Sequence, residues 1–456
     1  MQVAKINSSS ITTNSFMLKP NFHMNFGKRR IERAIKQGLE FKPLGEVVNK
    51  VFTGGIFKRV FVDDAEYGLP YISAQHMMNS NPLDVAKIIS KKYTPRQDDM
   101  SLKENQILVS CAGTVGNIKL ITKDLEGVIG SQDIIRIDSD NNKLLYGYLY
   151  AFLSSKTAYA YIQSFIYGSV VPRIEPNTLR KLPIPILPEE FQQRVHNLIV
   201  DSAQLRVEAN KLLKEAVEVF ESEIGESNVN HSFQVGKVSS SKIYGFQKRF
   251  DSQYQLGWNA LEDEMKQQLQ YRKLSSIASK IFVGGRGKRN YVENGVPFLS
   301  SSDMMLFNPK RTSKKISAST QGLEQMKVGL HDILISRSGT VGNTVIVGKD
   351  LEGTVISEHA LRLVVNEKEI SPLYVFAFLK TKFGLKTMES SSFGSVIITL
   401  NEDLIGNINL PILDKTTQEL IVDKVSRYIE KYDTATELEN QAIDLIEKEI
   451  DQWQQS

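Results

Sequence analysis

Cysteine is nearly absent. Cys111 is the only one in 456 residues, so neither an internal disulfide nor a cysteine-ligated zinc cluster can form. No apolar run reaches the ~20 residues that span a bilayer, and the opening MQVAKINSSS lacks the apolar core of a signal peptide. The six histidines are scattered, and none recurs in register with a Ser, Cys or carboxylate. Gly113–Asn117 and Gly339–Asn343 both read GTVGN, but no Gly-Lys-Ser/Thr follows as a phosphate-binding loop requires. Charge of one sign is also lacking: 56 Lys/Arg face 52 Asp/Glu, net +4. These absences point to a cytoplasmic protein without a catalytic centre, metal or cofactor of its own.

What is present occurs twice. Ile107–Ile137 and Ile333–Leu363 align without a gap at an offset of 226, with 15 of 31 positions identical. Upstream, KVFTGGIFKR (Lys50–Arg59) matches KIFVGGRGKR (Lys280–Arg289), and GLPYISAQHMM (Gly68–Met78) matches GVPFLSSSDMM (Gly295–Met305). Downstream, YGSVV from Tyr167 matches FGSVI from Phe393. A unit of about 230 residues, far longer than a solenoid repeat, is duplicated in tandem.

Each copy reads as mixed α/β. Short β-branched runs bounded by Gly, Asn and Asp predict strands at Ile107–Ser110, Ile118–Thr122 and Ile134–Ile137. Leu145–Ile162 reads as one helix, and Pro172, Pro176, Pro183, Pro185 and Pro188 then mark an extended crossing. Glu189–Ile224 and Lys415–Ile450 carry no Pro or Gly and read as two long helices of roughly 50 Å. Leu205, Ala209, Leu212, Ala216 and Val219 form a heptad seam, and Lys431, Ala435, Leu438, Ala442 and Leu445 stand at the same offset. The expected architecture is two globular α/β domains with mixed sheets (1–188 and 231–414), a linker at 225–230, and helices 189–224 and 415–456 paired as an antiparallel intramolecular coiled coil. The two helices hold 9 basic and 17 acidic residues, leaving 47 basic and 35 acidic elsewhere, net +12. A polyanion would therefore be gripped by the globular parts.

Several local features suit DNA contact, each beside a plainer explanation. The Gly-Gly-basic turn supplies Gly54, Lys58 and Arg59, then Arg286, Lys288 and Arg289; phosphate contact competes with a tight turn bearing solvated charges. After an apolar strand come Ser73, Gln75 and His76, matched by Ser300, Ser302 and Asp303; these types bond base edges or make an ordinary turn. Ser110 closes the strand before the first GTVGN loop, and Arg337 and Ser338 precede the second, where the copies differ. Gly168-Ser169 and Gly394-Ser395 offer backbone N–H groups or a turn, and Arg173 follows the first pair. The Asp-x-Glu of KDLEG (Asp124 and Glu126, Asp350 and Glu352) reads as a charged turn, because the Lys partner of a nuclease site is missing.

In this order, the doubled motifs resemble the specificity (S) subunit of type I restriction–modification systems over essentially the whole chain. The match is carried by the Gly-x-Pro-aromatic strands at Gly68 and Gly295, the I-L-x-S-x-x-G-T-x-G-N loops, the Gly-Ser pairs, the Leu182–Val195 run into the first long helix, and the paired helices. Asp414 and Lys415 replace Pro188 and Glu189 in the second copy, while Gln418 keeps the glutamine. The resemblance implies two target-recognition domains reading a bipartite asymmetric DNA site, with the helices as a ruler. It also implies docking of two methyltransferase subunits and of translocase–endonuclease subunits. S-adenosylmethionine, Mg²⁺ and ATP would sit on those partners, and no membrane is involved. Alternatives are an enzyme, a coiled-coil scaffold for protein or glycan, and a specificity protein of another DNA-defence system.

Overall fold

A computed structural model describes residues 8, 11, 20–168, 170–225, 237–244, 248–252, 254–255, 269–285, 289–338, 340–394 and 398–455. Of the linker expected at 225–230, all but Gly225 lies outside them. The chain divides into two compact units, Met1–Val207 with Thr434–Ser456, and Glu208–Asp433.

Both units have one topology. In unit 1 an antiparallel sheet runs in the order Val48–Thr53, Ile134–Ser139, Ile107–Ser110, Ile118–Leu120. A smaller sheet sets Gly68–Ile72 between antiparallel Lys87–Ser90 and parallel Ile129–Gly130. In unit 2 the same orders are Ala278–Val283, Ala360–Val365, Ile333–Ser336, Thr344–Ile346, and Lys314–Ile316, Tyr291–Leu299, Val355–Ile356. The central strands read as continuous apolar runs because both faces are covered. Ile333, Ile335, Leu361 and Leu363 face a helix-lined core, while Leu334 and Ala360 face a second core that includes Leu299 and Ile356 of the smaller sheet.

The expected helix 145–162 is two, Tyr146–Leu153 and Lys156–Ser164. Ser155 breaks it by accepting from Ala158 N at 3.1 Å, an N-cap that starts a new helix. Thr381 does the same between Pro372–Lys380 and Lys382–Ser391. Tyr148 and Tyr374, at equivalent positions, donate to the carbonyls of Pro185 and Pro411 at 2.9 Å, tying these helices to the Pro-rich crossing.

The long helices span Glu189–Ile224 and Lys415–Gln455. The second runs past Ile450 to Gln455, and buried Trp453 there meets Phe41 edge-on at 5.7 Å. Each unit contains part of both helices, running antiparallel. In unit 2, Lys431 bonds Glu208 at 2.7 Å and Lys424 bonds Glu215 at 2.5 Å, so one number falls as the other rises. In unit 1, Ser202, late in its segment, donates to the carbonyl of Ala435, early in its own, at 2.7 Å.

One buried cation recurs. Arg136 is fully buried with no carboxylate partner among the described residues, and burial lowers its pKa to about 10. Its guanidinium donates to Ile134 O (3.1 Å), Met100 O (3.2 Å) and Gly130 O (2.7 Å), joining the large sheet to the small one. Arg362, 226 residues later, donates to the carbonyls of Lys327 and Met326. A guanidinium's donors satisfy several carbonyls at once, which no apolar residue does.

The copies differ sharply at one place. Unit 1 buries Glu439, which accepts from Tyr150 and pairs with Arg206 at 2.8 Å. Lys119 is 6% exposed, and burial, then the Arg206 charge, lowers its pKa to about 7. The equivalent positions in unit 2 are Leu213, Phe376, Tyr432 and Val345.

Two outcomes are expected. Arg136→Leu leaves the three carbonyls without their donor and should cost roughly 3–5 kcal/mol, read from the urea midpoint; a loss under about 1 kcal/mol would contradict its bridging role. For Lys119, between pH 7 and 10.5 the unfolded chain keeps a proton that the folded unit has released, so stability rises with pH across that window. Lys119→Val should flatten this rise and add roughly 1–3 kcal/mol below pH 7. An unchanged pH profile by thermal denaturation would sink that account.

Candidate nucleic-acid interface

Ser110 is 1% exposed and works inward. Its hydroxyl donates to Thr114 O at 2.6 Å and accepts from Asn117 N at 2.9 Å, clamping the GTVGN loop. Ser336 likewise donates to Thr340 O. A hydroxyl so engaged holds a loop and does not reach for a ligand. Beside this loop, Tyr167 and Arg173 pair backbone to backbone at 2.9 Å and close a hairpin whose Val170 is 91% exposed. Arg173 is exposed and 3.9 Å from Asp133. Phe393 and Thr399 form the equivalent bridge. Ser169 and Ser395 lie outside the described residues.

In unit 1 the protein's own side chains crowd the Gly-Gly turn, the buried Met100 at Gly54 and the movable end of exposed Arg96 at Gly55. A Cβ on Gly54 would lie 2.4 Å from Met100 Sδ, and one on Gly55 would lie 1.5 Å from Arg96 Nη2. Among the described residues nothing lies within 4 Å of a Cβ on Gly285. Lys58 and Arg59 are exposed, and Arg59 donates to the Tyr71 hydroxyl at 3.2 Å. Arg289 pairs with Glu358 and lies 4.8 Å over the Phe298 ring. Burial pushes the Glu358 carboxyl up, but hydrogen bonds from its own backbone and from Arg289 more than offset this and leave its pKa lowered. Arg286 and Lys288 lie outside the described residues.

At the strand ends, Ser73 accepts from His76 N at 3.3 Å, while Gln75 is exposed. Among the described residues His76 Nδ1 is buried without a partner, and burial, then Lys87, lowers its pKa, which favours the neutral ring. In unit 2, Asp303 accepts from Ser300 N and Oγ at 2.9 and 2.7 Å, and Ser302 lies 3.0 Å from Ser300. Those three groups thus make a self-satisfied turn. Ser338 lies 3.2 Å from His359 Nδ1, and Arg337 O accepts from Leu400 N.

The seam residues are graded. Ala209, Ala216, Ala435 and Ala442 are fully buried and Leu212 is 8% exposed, while Leu205, Val219, Lys431, Leu438 and Leu445 are half-buried. Phe220, Ile421, Val425 and Ile446, which the heptad reading omitted, are buried too. KDLEG is a turn in both copies. Asp433 caps the second by accepting from Lys349 N at 2.8 Å, and Asp350 pairs with Lys310 at 2.9 Å. Among the described residues no three His, Cys, Asp or Glu gather as metal ligands would.

The sequence reading missed the loop that follows the outer strand of each small sheet. Arg96 and Gly322, at equivalent places, both adopt the left-handed conformation (φ 48° and 74°), so the backbone path is shared. The side chains are not: Lys91, Lys92, Tyr93 and Arg96 in one copy face Ser317, Ser319, Thr320 and Gln321 in the other. In unit 2 this loop and Arg289 line a polar cleft of about 930 Å³ that also touches Asn290 and Gln325. Self-alignment of the loop, which shifts by one residue, would have revealed the divergence.

Residues 36–218 and 270–448 each match the type I restriction modification DNA specificity domain. Among solved structures, the S subunit of a type I restriction-modification system from M. genitalium is 15% identical over 90% of this chain and 95% of that one, with a TM-score of 0.36. The HsdS subunit from Thermoanaerobacter tengcongensis is 17% identical over 90% and 96%, with a TM-score of 0.28. A chain from work on complex assembly and conformational transition of the type I R-M system is 16% identical over 90% and 97%, with a TM-score of 0.29. No curated protein matches the chain.

Ser110→Ala should cost roughly 1–2 kcal/mol locally and speed hydrogen exchange at the Asn117 amide, leaving distant amides unchanged. Unaltered exchange at Asn117 would show that the hydroxyl does not hold the loop.

Proposed function

The chain belongs to the type I restriction modification DNA specificity family, and we propose that its two repeats each read one half of a bipartite, asymmetric DNA site. It is the specificity subunit of a type I restriction–modification system. The observation that carries the two-reader proposal is a shared scaffold with diverged loops. Strand orders, the buried arginine and the GTVGN clamp are duplicated, while Lys91–Arg96 and Ser317–Gly322 present different chemistry. One framework with two tip chemistries suits two different base sequences.

In this reading the chain performs no catalysis. The long helices set the spacing between half-sites and receive two methyltransferase subunits, which translocase–endonuclease subunits join. Those partners hold S-adenosylmethionine, Mg²⁺ and ATP. The acidic helices and the net +12 elsewhere support this division, because DNA meets the globular parts. Among the described residues no helix is long and apolar enough to cross a membrane, and we place the complex in the cytoplasm with the DNA.

The test is single-molecule methylation mapping of DNA from cells making this chain with its methyltransferase subunit. The expected result is one new bipartite motif with a fixed gap; no new motif from a stable complex would overturn the proposal. Deleting one heptad from both helices should change the gap and neither half-site, and an unchanged gap would remove the ruler role.

A further inference from the structure

Each small sheet carries the same four-residue strip. In unit 1, Phe61 meets Tyr71 edge-on at 5.7 Å. Lys87 lies 5.3 Å from the Phe61 ring and Arg59 lies 6.0 Å from the Tyr71 ring. In unit 2, Tyr291 meets Phe298 edge-on at 6.2 Å, with Lys314 5.2 Å from Tyr291 and Arg289 4.8 Å from Phe298. Strand pairing explains the assembly, since Tyr71 is opposite Lys87 and Phe298 opposite Lys314. The inner ring is buried in both copies, 3% exposed for Tyr71 and 5% for Phe298. The outer ring is open, 44% for Phe61 and 47% for Tyr291, and all four cations are exposed.

The two strips do not share one sequence offset. Arg59 and Phe61 map to Arg289 and Tyr291 at 230, whereas Tyr71 and Lys87 map to Phe298 and Lys314 at 227. The spatial arrangement has therefore been kept while the intervening chain changed length. Among the described residues, Arg59, Lys87 and Lys314 have no carboxylate partner, and only Arg289 is ion-paired, with Glu358. A cation resting on a ring is held in place without being neutralised. The result is two fixed cations beside an open aromatic face, next to the diverged loops; neither meets a carboxylate in unit 1, while in unit 2 Glu358 offsets Arg289 and leaves Lys314 as the uncompensated charge.

We propose that this strip grips the DNA phosphate backbone in both units and takes no part in telling bases apart. The argument rests on the two-reader proposal. If the half-sites differ, groups that read bases must differ between copies, and groups that hold phosphates need not. The strip is the same in both copies, and the neighbouring loops are not. A structural role alone, cation–aromatic packing that steadies a small sheet, would leave salt dependence untouched.

The test uses the full chain assembled with its methyltransferase subunits. Affinity for a duplex bearing its bipartite site and for a random-sequence duplex is measured across a salt series. Arg59→Gln with Lys87→Gln should make the slope of log affinity against log salt shallower by about two on both duplexes, and Arg289→Gln with Lys314→Gln by about one, since Glu358 already offsets Arg289. The ratio between the two duplexes should stay within about twofold of the parent, since phosphate contacts carry no direct base information. The single changes Lys87→Ala and Lys314→Ala remove exposed side chains and guard against misfolding; each should reduce the slope by about one. Unchanged slopes in folded variants would overturn the strip while leaving the two-reader proposal standing. So would lost discrimination at an unchanged slope. A parent complex with no salt-dependent DNA affinity would instead sink the functional reading itself.

Discussion

Helix pairing is the constraint on which the units depend. The core of unit 1 includes Ala442, Ile443, Ile446, Ile450 and Trp453, delivered from the far end of the chain against Val195 and Ile199. The core of unit 2 includes Ala216 and Phe220 from the first long helix against Ile421, Val425 and Ile429. Fully buried alanines at 209, 216, 435 and 442 let helix backbones approach closely. Each repeat thus needs a helix segment that the other repeat encodes, and a single repeat would leave an apolar face bare.

Duplication makes that pairing ambiguous, and the differences between units limit the ambiguity. Glu439 in unit 1 finds Tyr150 and Arg206. At the matching positions unit 2 has Phe376, which stacks on Tyr428, and Tyr432, which meets Tyr428 at a tilt. A carboxylate buried among those rings would lose its partners, at a cost of several kcal/mol. Contacts that hold the shared scaffold are instead present twice: Arg136 and Arg362 bridging the sheets, Tyr148 and Tyr374 bracing the crossing, Ser110 and Ser336 clamping the loop.

Much of this was legible because internal duplication supplies its own comparison. The repeat, the strands and the long helices followed from offset and periodicity. The break at Ser155 did not, because a serine inside a Tyr- and Ala-rich run looks harmless until its hydroxyl caps a new helix. Arg136 was hidden inside an apolar strand, where a lone arginine gives no hint of carbonyls waiting across the gap. The seam reading favoured heptad positions and so passed over Phe220 and Ile446, which face the globular cores as well as the partner helix. Ser110, Ser300 and Asp303 are polar residues engaged in turns, and polarity in a sequence does not separate ligand contact from turn-making. The cation–aromatic strip escaped because its halves align at two different offsets.

The most direct measurement is a hydroxyl-radical footprint of the assembled complex on DNA carrying its methylated motif. Two protected tracts, one over each half-site and separated by a less protected gap, are predicted by two readers held apart by helices. A single continuous tract, or protection of one half-site alone, would contradict the account.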